Sequence, residues 1–272
     1  RSELDRLAFA SAEKEYMESD KTDRLAAYLK DYPQGTNYPR ALYYMAEASA
    51  LDNDYPQAYT YAEMLLSRYP DSESAPDALL IRADAEAAQG KTEAALASYT
   101  DLEARAANPS QLTRARLGRL RAATDLSRSE EALEAADRIL ASTAAGTPDR
   151  NEVLMTRGLA LDRLGRHDEA YAQWDELIKA APDDISAARA AVARSASMLG
   201  QGRTAEAHTT IDAFINSNPP SQYWLARGFI ILSDILRAEG NDFEAEEYLR
   251  SLRSNYPGSE TDIIEMIDER LK

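Results

Sequence analysis

The side chains that could perform acid–base or nucleophilic chemistry are few in this 272-residue sequence. It contains no cysteine, which excludes a thiolate nucleophile and a cysteine-ligated metal. Its two histidines, His167 and His208, have no serine, cysteine or metal-ligand partner at a recognisable spacing. Acidic pairs such as Asp183 and Asp184 are typical of solvated loops and helix faces. We therefore expect no enzyme, no metal site and no cofactor.

Two groups of side chains are better suited to binding than to catalysis. The first is a cluster of tyrosines, of which Tyr43 and Tyr44 are the candidates for ligand contact. Tyrosine suits this role because it offers a rigid surface with a polar tip. The alternative interpretation is that these tyrosines fill gaps between alanine-rich helices.

The second group is a run of arginines between residues 114 and 128 of an otherwise acidic protein. Arg114 and Arg121 are seven residues apart and so lie on one helix face, where they could clamp an acidic or phosphorylated segment. The alternative is that the arginines pair with acids of neighbouring helices, for example Glu130, Glu131 and Glu134.

Composition limits the kinds of partner and the fold class. The net charge of −16 disfavours nucleic acid, which requires a basic face. The longest strongly apolar run is 229–232, so we expect no transmembrane segment. Forty-nine alanines, 29% charged residues and only four phenylalanines favour closely packed amphipathic helices.

An internal repeat organises these helices. Six alanines recur at intervals of 37 or 38 residues, and a large apolar residue follows each after seven positions, which is two helical turns. Twelve positions before each alanine the residue is small in five of six cases. The repeat alanines are Ala58, Ala95, Ala132, Ala170, Ala207 and Ala245.

Glycine and proline mark the ends of the helices at fixed positions relative to the repeat alanine. Gly90, Gly165, Gly202 and Gly240 lie five residues before a repeat alanine, where a left-handed residue ends a helix. A proline lies twelve residues after four of the repeat alanines and stops the second helix. Each unit is therefore predicted to be helix A, a short turn, helix B and a proline-containing loop.

These positions resemble the tetratricopeptide repeat family. The resemblance implies an all-α fold, a right-handed α-α superhelix of helix–turn–helix repeats whose A helices line a concave binding surface. The period is longer than the 34 residues of the family, and the surplus lies after the proline. The unit at 148–184 matches the family at Leu154, Gly158, Leu161, Gly165, Ala170, Trp174, Leu177 and Pro182.

The connection at 70–79 is similar to that of bacterial cell-envelope members, of the outer-membrane-assembly and Tol–Pal-associated type. This likeness implies a periplasmic or outer-membrane-associated protein, with a cytoplasmic location as the alternative. Some family members grip a C-terminal carboxylate with a Lys/Asn/Arg clamp. The clamp positions here carry Tyr43, Tyr44 and Glu47, then Leu80, Ile81 and Asp84, so we do not expect that mode of binding.

The predicted organisation is one solenoid over 1–272. Helix-like residues 2–19 lack the repeat pattern, and we interpret the N-terminal unit as the remainder of a longer array. Residues 260–272 carry one apolar face, which predicts a C-terminal capping helix. The predicted segments are 1–37 (degenerate), the repeats 38–72, 73–109, 110–147, 148–184, 185–221 and 222–258, and the cap 259–272.

The functional prediction is a non-catalytic scaffold that binds a partner protein or peptide on its concave helix-A surface, in assembly or maintenance of a bacterial envelope. The predicted contact residues are Tyr43, Tyr44, Glu47, Arg114, Leu117 and Arg121. Two alternatives stay open. One is a self-associating solenoid that forms a homo-oligomer, and the other is a regulatory segment of a larger protein whose chemistry lies elsewhere.

Overall fold

The computed structural model describes residues 2–142 and 148–272, which form fifteen α-helices and no strand. The predicted all-α class is therefore confirmed. Residues 143–147, which end the predicted third repeat, lie outside the described residues. The helices group into two compact units, residues 1–128 and 129–272.

Unit 1 contains seven helices. Each helix packs on its neighbours along the chain, and α3, α5 and α7 also pack on one another in that order. The helices are α1 (Ser2–Ser19), α2 (Asp23–Asp31), α3 (Tyr38–Leu51), α4 (Tyr55–Arg68), α5 (Ala75–Ala88), α6 (Thr92–Arg105) and α7 (Pro109–Asp125).

The described residues of unit 2 form eight helices with the same arrangement. Here α9, α11, α13 and α15 form the row of A helices, each packing on the next. The helices are α8 (Ser129–Leu140), α9 (Pro148–Arg163), α10 (His167–Ala180), α11 (Ile185–Gly200), α12 (Thr204–Asn216), α13 (Gln222–Ala238), α14 (Asp242–Asn255) and α15 (Thr261–Arg270).

Burial follows the repeat predicted from the sequence. All six repeat alanines are at most 1% exposed, because a larger side chain there would separate the two helices of a hairpin. Two turns later, Leu65, Leu102 and Leu177 are completely buried, whereas Leu252 in α14 is only half-buried. In α15, Ile263 and Ile267 are completely buried in a cluster with residues of α13 and α14.

The turn between helix A and helix B has one backbone conformation in all six repeats. The four predicted glycines adopt φ between 73° and 86°. The two repeats without glycine place Asn53 (φ 60°) and Ser127 (φ 57°) at the same position, five residues before Ala58 and Ala132. The turn is thus set by the hairpin geometry, and a side chain there is tolerated at a backbone cost.

We expect Ser127→Gly to stabilise the protein by about 0.5–1 kcal/mol, because glycine adopts a left-handed backbone without strain. Ser127 is exposed, so the substitution removes little packing. The matched control is Gly165→Ser, at the equivalent turn with open space around its α-carbon, and it should destabilise by a similar amount. Urea denaturation measures both, and equal stability of all three proteins would refute the strain at Ser127.

A ladder of arginines links four of the A helices to the helix B before each of them. Arg82, Arg119, Arg157 and Arg194 each lie thirteen residues before a repeat alanine, and their side chains are only 11–24% exposed. The pairs join neighbouring hairpins inside each unit, so they help to fix the register of the stack. The four pairs are Arg82–Glu63 (2.8 Å) and Arg119–Glu103 (3.1 Å) in unit 1, and Arg157–Asp137 (2.7 Å) and Arg194–Asp175 (3.0 Å) in unit 2.

Candidate functional site

A groove of about 310 Å³ opens on the A helices of unit 1. Its floor is apolar and is made by Ala50, Leu80, Ile81 and Ala85 of α3 and α5. The rim carries larger side chains and charges, of which Leu51 is 70% exposed. The rim residues are Tyr43, Glu47, Leu51, Tyr55, Asp77, Asp84 and Arg114.

Glu47 is held at the rim by two phenols. Tyr43 donates its hydroxyl to Glu47 Oε1 at 2.6 Å, and Tyr16 of α1 donates to Oε2 at 2.9 Å. Burial, together with the hydrogen bond to Glu47 and its negative charge, raises the pKa of Tyr43 far above the ordinary value. The phenol therefore stays protonated as a donor, and the charge of Glu47 is oriented without being neutralised.

Asp84 and Asp77 are oriented in the same way by groups of α6 and α7. Tyr99 donates its hydroxyl to Asp84 Oδ1 at 2.6 Å, and burial and the charge of Asp84 raise the pKa of Tyr99. Arg114 pairs with the other oxygen of Asp84 at 2.5 Å. Gln111 donates its side-chain amide to Asp77 Oδ1. Two of the three rim carboxylates, Glu47 and Asp77, thus have neutral donors as their hydrogen-bond partners here.

The structure brings three of the six predicted contact residues together, namely Tyr43, Glu47 and Arg114. Tyr44 is instead 4% exposed and packs against Phe9 and Tyr16 of α1, so it belongs to the core. Its hydroxyl donates to Glu13 Oε1 at 2.7 Å.

The two other predicted residues, Leu117 and Arg121, lie further along α7, where Leu117 is half-buried and Arg121 is exposed. Sequence reasoning did not single out Asp77. Its signal was available, because Asp77 lies eighteen residues before Ala95, as Arg114 lies before Ala132.

Most arginines of the run between residues 114 and 128 pair with acids of unit 1. Arg114 contacts Asp84 on α5, whereas Arg116 and Arg119 both contact Glu103 on α6, at 3.2 Å and 3.1 Å. At the end of the run, Arg128 contacts Glu93 at 2.6 Å. Asp84, Glu103 and Glu93 belong to the preceding helices, and these cations are engaged within the protein.

The two histidines join neighbouring helices of unit 2. His167 Nδ1 lies 2.7 Å from Asp162, and His208 Nδ1 lies 2.8 Å from Glu239. The hydrogen bond to Glu239 and the charge of Asp212 raise the pKa of His208. Among the described residues, no three acids or histidines are grouped so that they could hold a metal ion. No helix in that part of the chain has the length and apolar character needed to cross a bilayer.

Comparison with known proteins identifies the repeat. Two models of the tetratricopeptide repeat family match the chain, one over residues 114–185 and the other over 40–72 and 230–259. The sequence matches no curated protein.

The solved structures that are similar to this chain include the following three. A tetratricopeptide repeat protein from Parabacteroides merdae has 17% identity and a TM-score of 0.63, and the match covers 98% of this chain and 99% of that one. PilW, a widely conserved type IV pilus biogenesis factor, has 19% identity and a TM-score of 0.62, covering 88% and 100%. PilF of Pseudomonas aeruginosa has 17% identity and a TM-score of 0.55, covering 85% and 97%. At these identities the likeness shows the fold alone.

Proposed function

We propose that this chain, a tetratricopeptide repeat protein, is a non-catalytic scaffold that binds a segment of a partner protein on the A helices of unit 1. The observation that carries the proposal is the groove, which combines an apolar floor with an oriented polar rim. Tyr43, Glu47 and Arg114 contact the segment there, and Leu117 and Arg121 extend the surface along α7.

The dimensions and chemistry of the groove suit a short peptide segment. Its volume of about 310 Å³ is enough for a few side chains, and ligand sites in proteins begin near this size. The phenol of Tyr43 is already fixed by Glu47, so little conformational entropy is lost when a partner covers it. Leu51 offers an exposed apolar surface, and water is released from it when the segment binds.

We expect Leu51→Ala to weaken binding of the partner about tenfold, because the leucine side chain becomes buried in the complex. Ile185→Ala is the matched control, since Ile185 is 59% exposed in unit 2 and does not line the groove. Proteins captured from lysate by wild-type protein and both variants are quantified by mass spectrometry. Proteins retained equally by Leu51→Ala and Ile185→Ala would contradict the proposed surface.

The bacterial envelope is the cellular setting we propose for this scaffold. The similarity of the 70–79 connection to envelope proteins supports it, and so does the fold shared with PilW and PilF. Fractionation of cells that carry the full-length gene tests the location. Recovery with cytoplasmic rather than periplasmic or outer-membrane marker proteins would contradict it.

Self-association is a second candidate, favoured by apolar side chains that lie exposed on α1. Leu4, Leu7 and Met17 are 52–63% exposed there, and an apolar surface of this kind is typical of protein contacts. Light scattering over a range of concentrations tests this candidate, and a constant monomer mass would exclude it.

A further inference from the structure

The carboxylates Glu47 of α3 and Asp77 of α5 line the same groove. At the equivalent place between α5 and α7 the structure has an ion pair, Asp84 with Arg114. Glu47 and Asp84 hold the same register, each eleven residues before a repeat alanine. Asp77 and Arg114 also share a register, each eighteen residues before a repeat alanine. The step from α5 to α7 therefore pairs Asp84 with Arg114 at 2.5 Å, whereas the step from α3 to α5 brings two acids to one groove.

The last helix of unit 2 repeats the paired arrangement. Asp234 of α13 lies eleven residues before Ala245, and Arg270 of α15 donates to both of its carboxylate oxygens at 2.7 Å and 2.8 Å. In two places, therefore, a carboxylate eleven residues before a repeat alanine pairs with a guanidinium from the next helix in the row of A helices. Over residues 2–142 and 148–272, Glu47 forms no ion pair, and its hydrogen bonds come from the phenols of Tyr43 and Tyr16.

We propose that this groove binds an arginine side chain of the partner segment, with its guanidinium between Glu47 and Asp77. The proposal rests on the proposed function and names the chemistry of its partner. The guanidinium takes the position that Arg114 takes beside Asp84, and an aliphatic residue next to the arginine packs on Leu80 and Ile81.

The electrostatics of the rim favour this cationic occupant. The phenols and the Gln111 amide hold Glu47 and Asp77 in place but leave their charges uncancelled. The planar fork of a guanidinium can donate to two carboxylates at once, which lysine does less well. An acidic or phosphorylated segment would meet two like charges here, and the one cation of the groove, Arg114, is paired with Asp84.

The first experiment measures binding of a fluorescein-labelled nonapeptide with a central arginine flanked by leucines, by anisotropy at low salt. The same peptide with citrulline, the neutral isostere of arginine, should bind at least tenfold more weakly. Glu47→Gln should weaken binding of the arginine peptide about tenfold, whereas Glu247→Gln on the exposed face of α14 should leave it unchanged. An equal loss in both variants would show non-specific attraction to an acidic protein and would overturn the proposal.

The second experiment fills the proposed arginine site with an arginine of the protein itself. Asp77→Arg places a guanidinium at the register of Arg114, so it should pair with Glu47, raise the midpoint of thermal unfolding by about 1–3 °C and abolish binding of the arginine peptide. Glu247→Arg makes the same change of charge outside the groove and should retain binding. A lowered unfolding midpoint together with undiminished binding would overturn the proposal.

Nuclear magnetic resonance locates the bound peptide and separates the two proposals. Methyl shifts of Leu80 and Ile81 should change on addition of the arginine peptide and not of the citrulline peptide. If Leu51→Ala releases the cellular partner but these shifts do not respond to arginine, the scaffold function stands and the arginine site is wrong. If the shifts respond but Leu51→Ala retains every partner, the site binds arginine and the proposed function is wrong.

Discussion

Gly158→Ala is expected to destabilise the protein by about 2–3 kcal/mol. A β-carbon on Gly158 would lie 2.1 Å from the indole nitrogen of Trp174 and 2.6 Å from a ring carbon. Trp174 is completely buried and donates its Nε1–H to the carbonyl of Met155 at 3.1 Å, so it has no free space into which to move. Overpacking and a weakened hydrogen bond outweigh the gain of up to about 1 kcal/mol in helix propensity.

The control for this prediction is a second glycine to alanine change in a neighbouring helix A. Gly200 ends α11, and a β-carbon there would meet nothing within 4 Å. Gly200→Ala should therefore leave stability unchanged or raise it by up to about 1 kcal/mol. Urea denaturation followed by circular dichroism and by Trp fluorescence measures both variants. A Gly158→Ala protein as stable as Gly200→Ala would show that the contact with Trp174 is wrong.

The repeat made this contact predictable, because helix periodicity and small residues are visible in a single sequence. Gly158 and Trp174 hold positions that recur every 37 or 38 residues, and the structure packs them as that register predicts. Tyr43 and Tyr44 show the limit. They are adjacent in sequence, yet Tyr43 lines the groove and Tyr44 is buried by α1, a helix that lacks the repeat signal.

Charged residues were harder to place than apolar ones, since a charge is compatible both with solvent and with a partner across a helix boundary. The arginine ladder recurs thirteen residues before four repeat alanines, and three of its four acids lie five residues after a repeat alanine, so its signal was largely present. Glu63, Asp137 and Asp175 share that register, whereas Glu103 of α6, which pairs with Arg119, lies eight residues after Ala95. The pair of Arg119 with Glu103 therefore depends on side-chain reach, which only the packed hairpins define.

Removing the charge of the most buried pair of the arginine ladder, Arg119 with Glu103, is expected to give the second large effect on stability. The carboxylate of Glu103 is 9% exposed, and Arg119, at 3.1 Å, is 11% exposed. Glu103→Gln preserves the volume but removes the charge that compensates two arginines, Arg116 and Arg119. Because a guanidinium then stays buried with less compensation, we expect a loss of about 2–4 kcal/mol in the free energy of unfolding.

A double mutant shows whether the loss comes from the uncompensated buried guanidinium or from a general requirement for charge. Glu103→Leu with Arg119→Met replaces both charges by apolar groups and should recover most of the stability lost in Glu103→Gln. Glu246→Gln is the exposed control, since its pair with Arg250 has side chains 49% and 62% exposed, and it should cost less than about 0.5 kcal/mol. If Glu103→Gln and Glu246→Gln have equal effects, Arg116 and Arg119 are not anchored by α6, and the assignment of this buried pair is wrong.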